Sequence, residues 1–448
     1  MTNTLDDLTQ QLLDAAQKAG ADGADALAVD GTSVSIDVLH GKLEHAERSE
    51  DIDIGLRVLV GQRQACVSAS DISTQTIQTM AERAVAMAKE APEDPNIAQA
   101  TAEMLASDWD LAALDLQDPT AEPDPADLER DAAEAEAAAL AVEGVTQVSS
   151  SSAGYGRHQF HLATSNGFSG GYGRTHRAIS TVAITGEGAT MERDYAGEMR
   201  SFQADLPSAV EVGTKAGRRT VQRAGARKPP TGAFPVLYDE RISSSLIGHL
   251  LSAVNGAMIA RGSSWLRDAL GEQVLPDGID LIEDPHRPRI SGSRPFDGEG
   301  LATRVRKIID NGTLTGWTLD IATANKLGLN STASASRGTS SPPSPSISNV
   351  TLTQGKSTKM DLTAQMGTGL LVTSMIGSTI NPTTGDYSRG ASGFWVENGQ
   401  IAYPVNECTI AGNLRDMLRR IIPANDAEAH LSRMVPSLLV EGMTIAGD

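Results

Sequence analysis

GTGLLVTSMIGSTINPTTGDYSRGASGFWVENGQIAYPVNECTIAG, residues 367–412, is the stretch on which the reading of this chain turns. It gathers glycines, β-branched residues, two tyrosines and a Phe-Trp pair in a chain that is only 4% aromatic. Such a run reads as successive strands joined by tight turns. Glu397-Asn398-Gly399 is the clearest of these turns, because Asn-Gly tolerates the positive φ of a type I′ hairpin. Asp310-Asn311-Gly312 repeats the signal upstream.

Working outward, Arg227-Lys228-Pro229-Pro230 marks a change of composition, and Phe234-Pro235-Val236-Leu237-Tyr238 reads as the first strand of a new region. The sequence SSSLIGHLLSAVNGAMIA follows, with Leu246, Leu250, Val254 and Ala257 on one helical face and Asn255-Gly256 weakening its far end. Ser331–Ser348 (STASASRGTSSPPSPSIS) is small and Pro-rich and cannot bury enough surface to order itself. A mobile loop or a solvated connection beside the β-rich body is expected there.

Before residue 226 the pattern is helix, meander, helix. Leu5–Lys18 has helical apolar spacing with Gly20 as a stop; 26–70 alternates with period two and turns at Gly61; Thr74–Lys89 is helical again and ends before Pro92. The same order returns with a helix over Asp127–Val142, alternating runs through 145–195, and a helix over Leu206–Arg223. Between the two, 92–124 reads as a connection, although TAEMLASDWDLAAL is apolar enough to dock against a neighbour. The expected fold class is therefore α+β: duplicated helix and antiparallel-meander units at 1–91 and 125–225, an acidic connection at 92–124, and a β-rich C-terminal domain at 226–448.

At 448 residues several domains are expected. The net charge of −20 is concentrated: fifteen acids and one base, Arg130, lie between Glu90 and Glu136. No basic groove for nucleic acid is visible. No run approaches the roughly 20 apolar residues that span a bilayer, and Cys66 and Cys408 lie far apart, so the cytoplasm is the expected address.

Chemistry-bearing motifs are scarce. The GxG pairs lack a third glycine at the spacing of a dinucleotide loop, and there is no GxxxxGK[ST]. Ser388 in GDYSRG has the wrong glycine spacing for a nucleophile elbow. His158 and His161 are three apart in a strand and so point to opposite faces. His40 and His45 flank a turn, and His249 has no second ligand at helical spacing.

The runs Leu246-Ile247-Gly248-His249-Leu250, Pro295-Phe296-Asp297-Gly298-Glu299-Gly300, Met366-Gly367-Thr368-Gly369-Leu370, GDYSRGA from Gly385 and GFWVENG from Gly393 together resemble the PmbA/TldE branch of the TldD/TldE metalloprotease family. The resemblance covers essentially the whole chain. TldD-type chains carry His-Glu-x-x-x-His on a helix, completed by a C-terminal Cys, with the glutamate as general base toward a zinc-bound water. Here Ser244 and Ser245 stand at the first ligand and the glutamate, only His249 is kept, and no Cys follows Cys408.

The resemblance thus implies no catalytic or metal residue in this chain, zinc in a TldD-type partner subunit, and a joint chamber for unfolded peptide, with a homodimer possible when the partner is absent. Asp386, Tyr387, Arg389, Phe394 and Trp395 are the candidates for substrate or partner surface. The other reading of these five is a turn held by an Arg-carboxylate pair with an aromatic plug in the β core. A non-catalytic peptide- or protein-binding adaptor, suggested by the family's other name as a modulator of DNA gyrase, is the rival function.

Overall fold

The computed structural model describes residues 4–447. The fold is α+β. Thr4 caps the first helix, α1 (Leu5–Ala19), through a reciprocal capping box with Asp7, and Gly20 ends it in the left-handed region. Then come β1 (Gly23–Leu39), β2 (Lys42–Val60), β3 (Arg63–Ala69) and α2 (Thr74–Glu90). The connection holds a short α3 (Leu111–Leu114). The second unit is α4 (Pro125–Leu140), β4 (Val145–Thr164), β5 (Ser169–Thr185), β6 (Glu192–Arg200) and α5 (Ala209–Val221).

Both meanders enter one six-stranded sheet of order β3-β2-β1-β4-β5-β6. They meet at an antiparallel β1–β4 pairing that runs from Asp25–Thr164 to Val38–Ser151. Strand parity then divides the two faces. Ala24, Ala26 and Ala28 pack under α1 and α2 with Leu8, Leu12 and Ile77, while Val34, Ile36 and Val38 pack under α4 and α5 with Leu128 and Val212. The odd-numbered face of β1 turns instead toward the C-terminal region: Leu27 and Leu162 pack with Phe168 and Phe296. The connection docks here, as its apolar content suggested, with the Trp109 ring 5.1 Å from that of Phe296.

The C-terminal region begins with β7 (Gly232–Tyr238), α6 (Glu240–Ala253) and α7 (Gly256–Ala260), the helical run breaking at Val254-Asn255. A lesser sheet follows from β8 (Leu281–Glu283), β9 (Arg306–Asp310) and β10 (Thr313–Leu314), with α8 (Ile321–Leu327) beside it. The chain continues through β11 (Ala335–Ser336), β12 (Ser344–Pro345), β13 (Val350–Leu352), α9 (Lys359–Met366), β14 (Gly369–Ile380), β15 (Asp386–Glu397) and β16 (Gln400–Asn413). It closes with α10 (Leu414–Leu418), β17 (Ile422–Pro423), β18 (Arg433–Met434) and β19 (Leu438–Ala446). The opening stretch of the sequence is thus three long strands of a sheet of order β16-β15-β14-β7-β19-β17. Asn311-Gly312 and Asn398-Gly399 make their hairpins with positive φ at both residues.

One expectation is corrected. Ser331–Ser348 is neither a mobile loop nor a solvated connection: Ser334 and Ala335 are buried, and the Arg337 side chain is 2% exposed in an ion pair with Asp25 of β1. The backbone of Thr339 occupies the place that a Cβ on Gly55 would take. The stretch lacks an apolar core of its own, and the N-terminal sheet supplies one. Composition reports only the first half of that statement.

Candidate functional site

Asp239 caps α6 directly after β7, so the helix that carries Ser244, Ser245 and His249 leaves from the end of an interior strand of the C-terminal sheet. Its apolar stripe, Leu246, Ile247 and Leu250, is fully buried and fixes its rotation. Ser245 Oγ donates back to the Ile242 carbonyl at 2.7 Å, and so turns onto its own helix. His249 points inward. Its ring stands edge-on to Tyr387 at 5.8 Å between centroids, and its buried Nε2 has no hydrogen-bond partner among the described residues.

Burial, and secondarily the Arg389 guanidinium, push the His249 pKa below the usual value, so the imidazole is neutral at pH 7. Around it, Tyr238 Oη donates to Tyr387 Oη at 3.3 Å, and Tyr387 Oη in turn contacts Met375 Sδ at 3.4 Å. Cys408 lies on β16, donates Sγ–H to the Ala391 carbonyl at 3.1 Å, and is pushed by burial up to about 11. A thiol held protonated in this way is a poor ligand.

A zinc site needs three protein donors of nitrogen, thiolate or carboxylate type. Two serines, one imidazole and a protonated thiol do not meet that need. Among the described residues no group of three or more His, Cys, Asp or Glu is arranged around a common point. The donor set of this chain therefore does not fit the metal that the family name implies.

The five residues expected at a substrate or partner surface separate. Tyr387 and Trp395 are 2% exposed and Phe394 is buried, because β15 is an interior strand paired with β14 and β16 on its two sides. Trp395 packs edge-on against Phe234 at 4.9 Å. These three are interior and present no surface. Asp386 alone is exposed, accepting from Thr384 Oγ1 at 2.6 Å and Asn413 Nδ2 at 3.1 Å. Arg389 is half-buried, and no carboxylate among the described residues lies within salt-bridge distance of it, so the turn is not held by an Arg-carboxylate pair.

The histidine parity holds: His161 meets Thr9 Oγ1 at 2.8 Å on the helix-covered face, while His158 stacks near Phe160 and His176 on the other. Sequence reasoning missed Tyr238 and Met375, which contact the Tyr387 hydroxyl, and Met443, whose Sδ lies 3.5 Å from Tyr238 Oη. Their strands, β7, β14 and β19, come together with β15 only in the sheet order, which local sequence does not carry.

Comparison with known proteins places this geometry. Family models for the PmbA/TldA metallopeptidases match in three parts: domain 1 at 24–88, the central domain at 118–224 and the C-terminal domain at 231–447. The chain belongs to that PmbA/TldD metallopeptidase family. It is 39% identical to metalloprotease PmbA of Escherichia coli O157:H7 over 432 residues, 95% of this chain and 93% of that protein. A PmbA homologue of Haemophilus influenzae is 35% identical over 97% of this chain and 94% of its own length.

Among solved structures, a proposed modulator of DNA gyrase from Bacteroides thetaiotaomicron superposes with a TM-score of 0.92 at 27% identity, covering 100% of both chains. TldE of Thermococcus kodakarensis shares the fold, with a TM-score of 0.84 at 18% identity over 98% of this chain and 100% of its own.

Proposed function

We propose that this chain is the zinc-free subunit of a TldD/TldE-type peptidase of the cytoplasm. In this reading a TldD-type partner supplies the catalytic zinc, and this chain supplies wall and backbone to hold unfolded peptide. The observation that carries the reading is the helix α6, on which Ser244 and Ser245 stand at the two positions where the family resemblance sets the first ligand and the glutamate.

A second feature suggests how peptide is held. β7 pairs with β14 only over Leu370–Val372, whereas β15 follows β14 on its other side to Ile380. The segment Met375–Ile380 thus has no strand partner on the β7 side among the described residues, and Ile376 is 76% exposed. An open edge offers main-chain hydrogen bonds to an extended peptide with little demand on its sequence. Asp386, the first residue of β15, is exposed near the tip of the β14–β15 hairpin.

The test follows cleavage of an unstructured peptide by this chain, by a purified TldD-type partner, and by the two mixed. Cleavage that needs the mixture and is lost on chelation is expected. Robust zinc-dependent hydrolysis by this chain alone would refute the reading. Capture of peptide without any effect on the partner's cleavage would favour the adaptor function instead.

A further inference from the structure

A cavity of about 470 Å³ lies between the odd-numbered face of the N-terminal sheet and the C-terminal region, away from α6. Its walls include Leu27, Phe160, Tyr172 and Phe296. Three arginines line it: Arg174 from β5, Arg294 from the loop after β8, and Arg337 from the Ser/Pro-rich stretch.

Their pairing is unusual. Arg174 donates from its Nη atoms to the carbonyls of Ser291 at 2.6 Å and Ser293 at 2.9 Å, and to Tyr172 Oη at 3.3 Å. Arg294 donates to the carbonyls of Ala335 at 2.9 Å and Ser346 at 2.8 Å. Neither has a carboxylate within salt-bridge distance among the described residues, and both keep a buried Nε–H with no acceptor. Arg337 is paired with Asp25, yet its Nε and Nη2 also find no acceptor.

Two carboxylates, Asp53 and Asp297, stand in the wall, and neither lies within salt-bridge distance of Arg174 or Arg294 among the described residues; Asp53 Oδ1 accepts from Ser70 Oγ at 2.6 Å. Asp297 Oδ1 accepts from the amides of Glu299 and Leu301, both at 2.9 Å, and Oδ2 accepts from that of Ala335 at 3.0 Å. Two guanidiniums held in place by neutral carbonyls and without a carboxylate partner, in the wall of a partly apolar cavity, make a built receptor for an anion.

We infer that this cavity binds a small organic carboxylate carried on an apolar or aromatic body, of amino-acid to dipeptide size. The arginines hold the carboxylate, and the aromatic wall excludes a bare hydrated anion. The inference is independent of the peptidase-subunit reading, since it needs neither a partner nor cleavage.

The test is calorimetric titration of the full chain with N-acetyl-phenylalanine, its neutral carboxamide, phenyl phosphate and inorganic phosphate. The carboxylate is expected to bind at least tenfold more tightly than the carboxamide or inorganic phosphate, and Arg294→Gln to weaken it at least tenfold. Gly338→Leu provides a second variant that touches no guanidinium, because a Cβ there meets nothing closer than Ser341 Oγ at 3.5 Å. It adds bulk at the lining and is expected to weaken the aromatic carboxylate, deciding the matter should Arg294→Gln fail to fold. Equal binding of acid and carboxamide, tighter binding of either phosphate, or unchanged affinity in folded variants would overturn the assignment.

Discussion

His249 is the residue at which family history and present chemistry part. Its ring is half-buried, with a sealed Nε2, held neutral at pH 7 and packed on Tyr387, so it enters the packing and proton balance of the chain. The sign of that balance follows from the lowered folded pKa. Above the unfolded value of about 6.5 the ring is neutral in both states. As the pH falls below it, the unfolded chain takes up a proton that the native ring resists, so stability is lost toward acid. His158, His161, His176 and His430 are lowered by burial in the same direction. His249→Gln is therefore expected to make stability fall less steeply below pH 6.5 without abolishing the slope, as read by urea unfolding at pH 5.5 and 7.5. Metal analysis of the same variant is expected to match the parent chain. Trp395→Ala is the destabilising counterpart: removing a buried indole packed on Phe234 costs about 3–5 kcal/mol. Retained stability with lost complex formation would show instead that Trp395 serves an interface.

At the scale of elements, the turn chemistry makes a sharper forecast than the strands. Asn398 and Gly399 carry φ of 51° and 75°, and a Cβ on Gly399 would meet the Ala364 backbone at 2.9 Å. Gly399→Ala thus combines left-handed strain with a clash and is expected to cost more than about 1 kcal/mol, seen as a lower Tm. These hairpins were legible because Asn-Gly fixes its conformation locally. The helices α1, α2 and α6 were legible for a similar reason, since their apolar spacing and caps lie within one stretch of chain. Ser331–Ser348 was not legible, because its order comes from Gly55 and Asp25, which lie in another part of the sequence. The burial of Tyr387, Phe394 and Trp395 was left open for a related reason: a run of aromatics does not say whether its strand is an edge or an interior one. The serines at 244 and 245, by contrast, lie in a local run, and the family resemblance sets them at the first ligand and the glutamate.

At the scale of the molecule, one carboxylate ties the two ends of the chain together. Asp25 takes Arg57 Nε at 2.8 Å from its own meander and Arg337 from the C-terminal region, all three side chains being nearly sealed from water. Removing one partner of a buried ion pair leaves the other uncompensated and costs up to about 3–5 kcal/mol, less here because Arg57 remains on Asp25. Arg337→Met is accordingly expected to lower the calorimetric Tm, or to split the transition as the N-terminal sheet and C-terminal region lose their coupling. An unchanged single transition would show that the pair contributes nothing to that coupling. The β1–β4 junction has a consequence for synthesis as well. Ala24 is bonded to Ser165, a separation of 141 residues, so β1 waits for much of the second unit before it gains its neighbour. Contacts of that range close slowly. During translation the first meander leaves the ribosome with the open edge of β1 exposed, and Asp25 receives its second arginine only after another long interval. Of the two open edges of that meander, β1 and β3, the β1 edge is the one that β4 later covers.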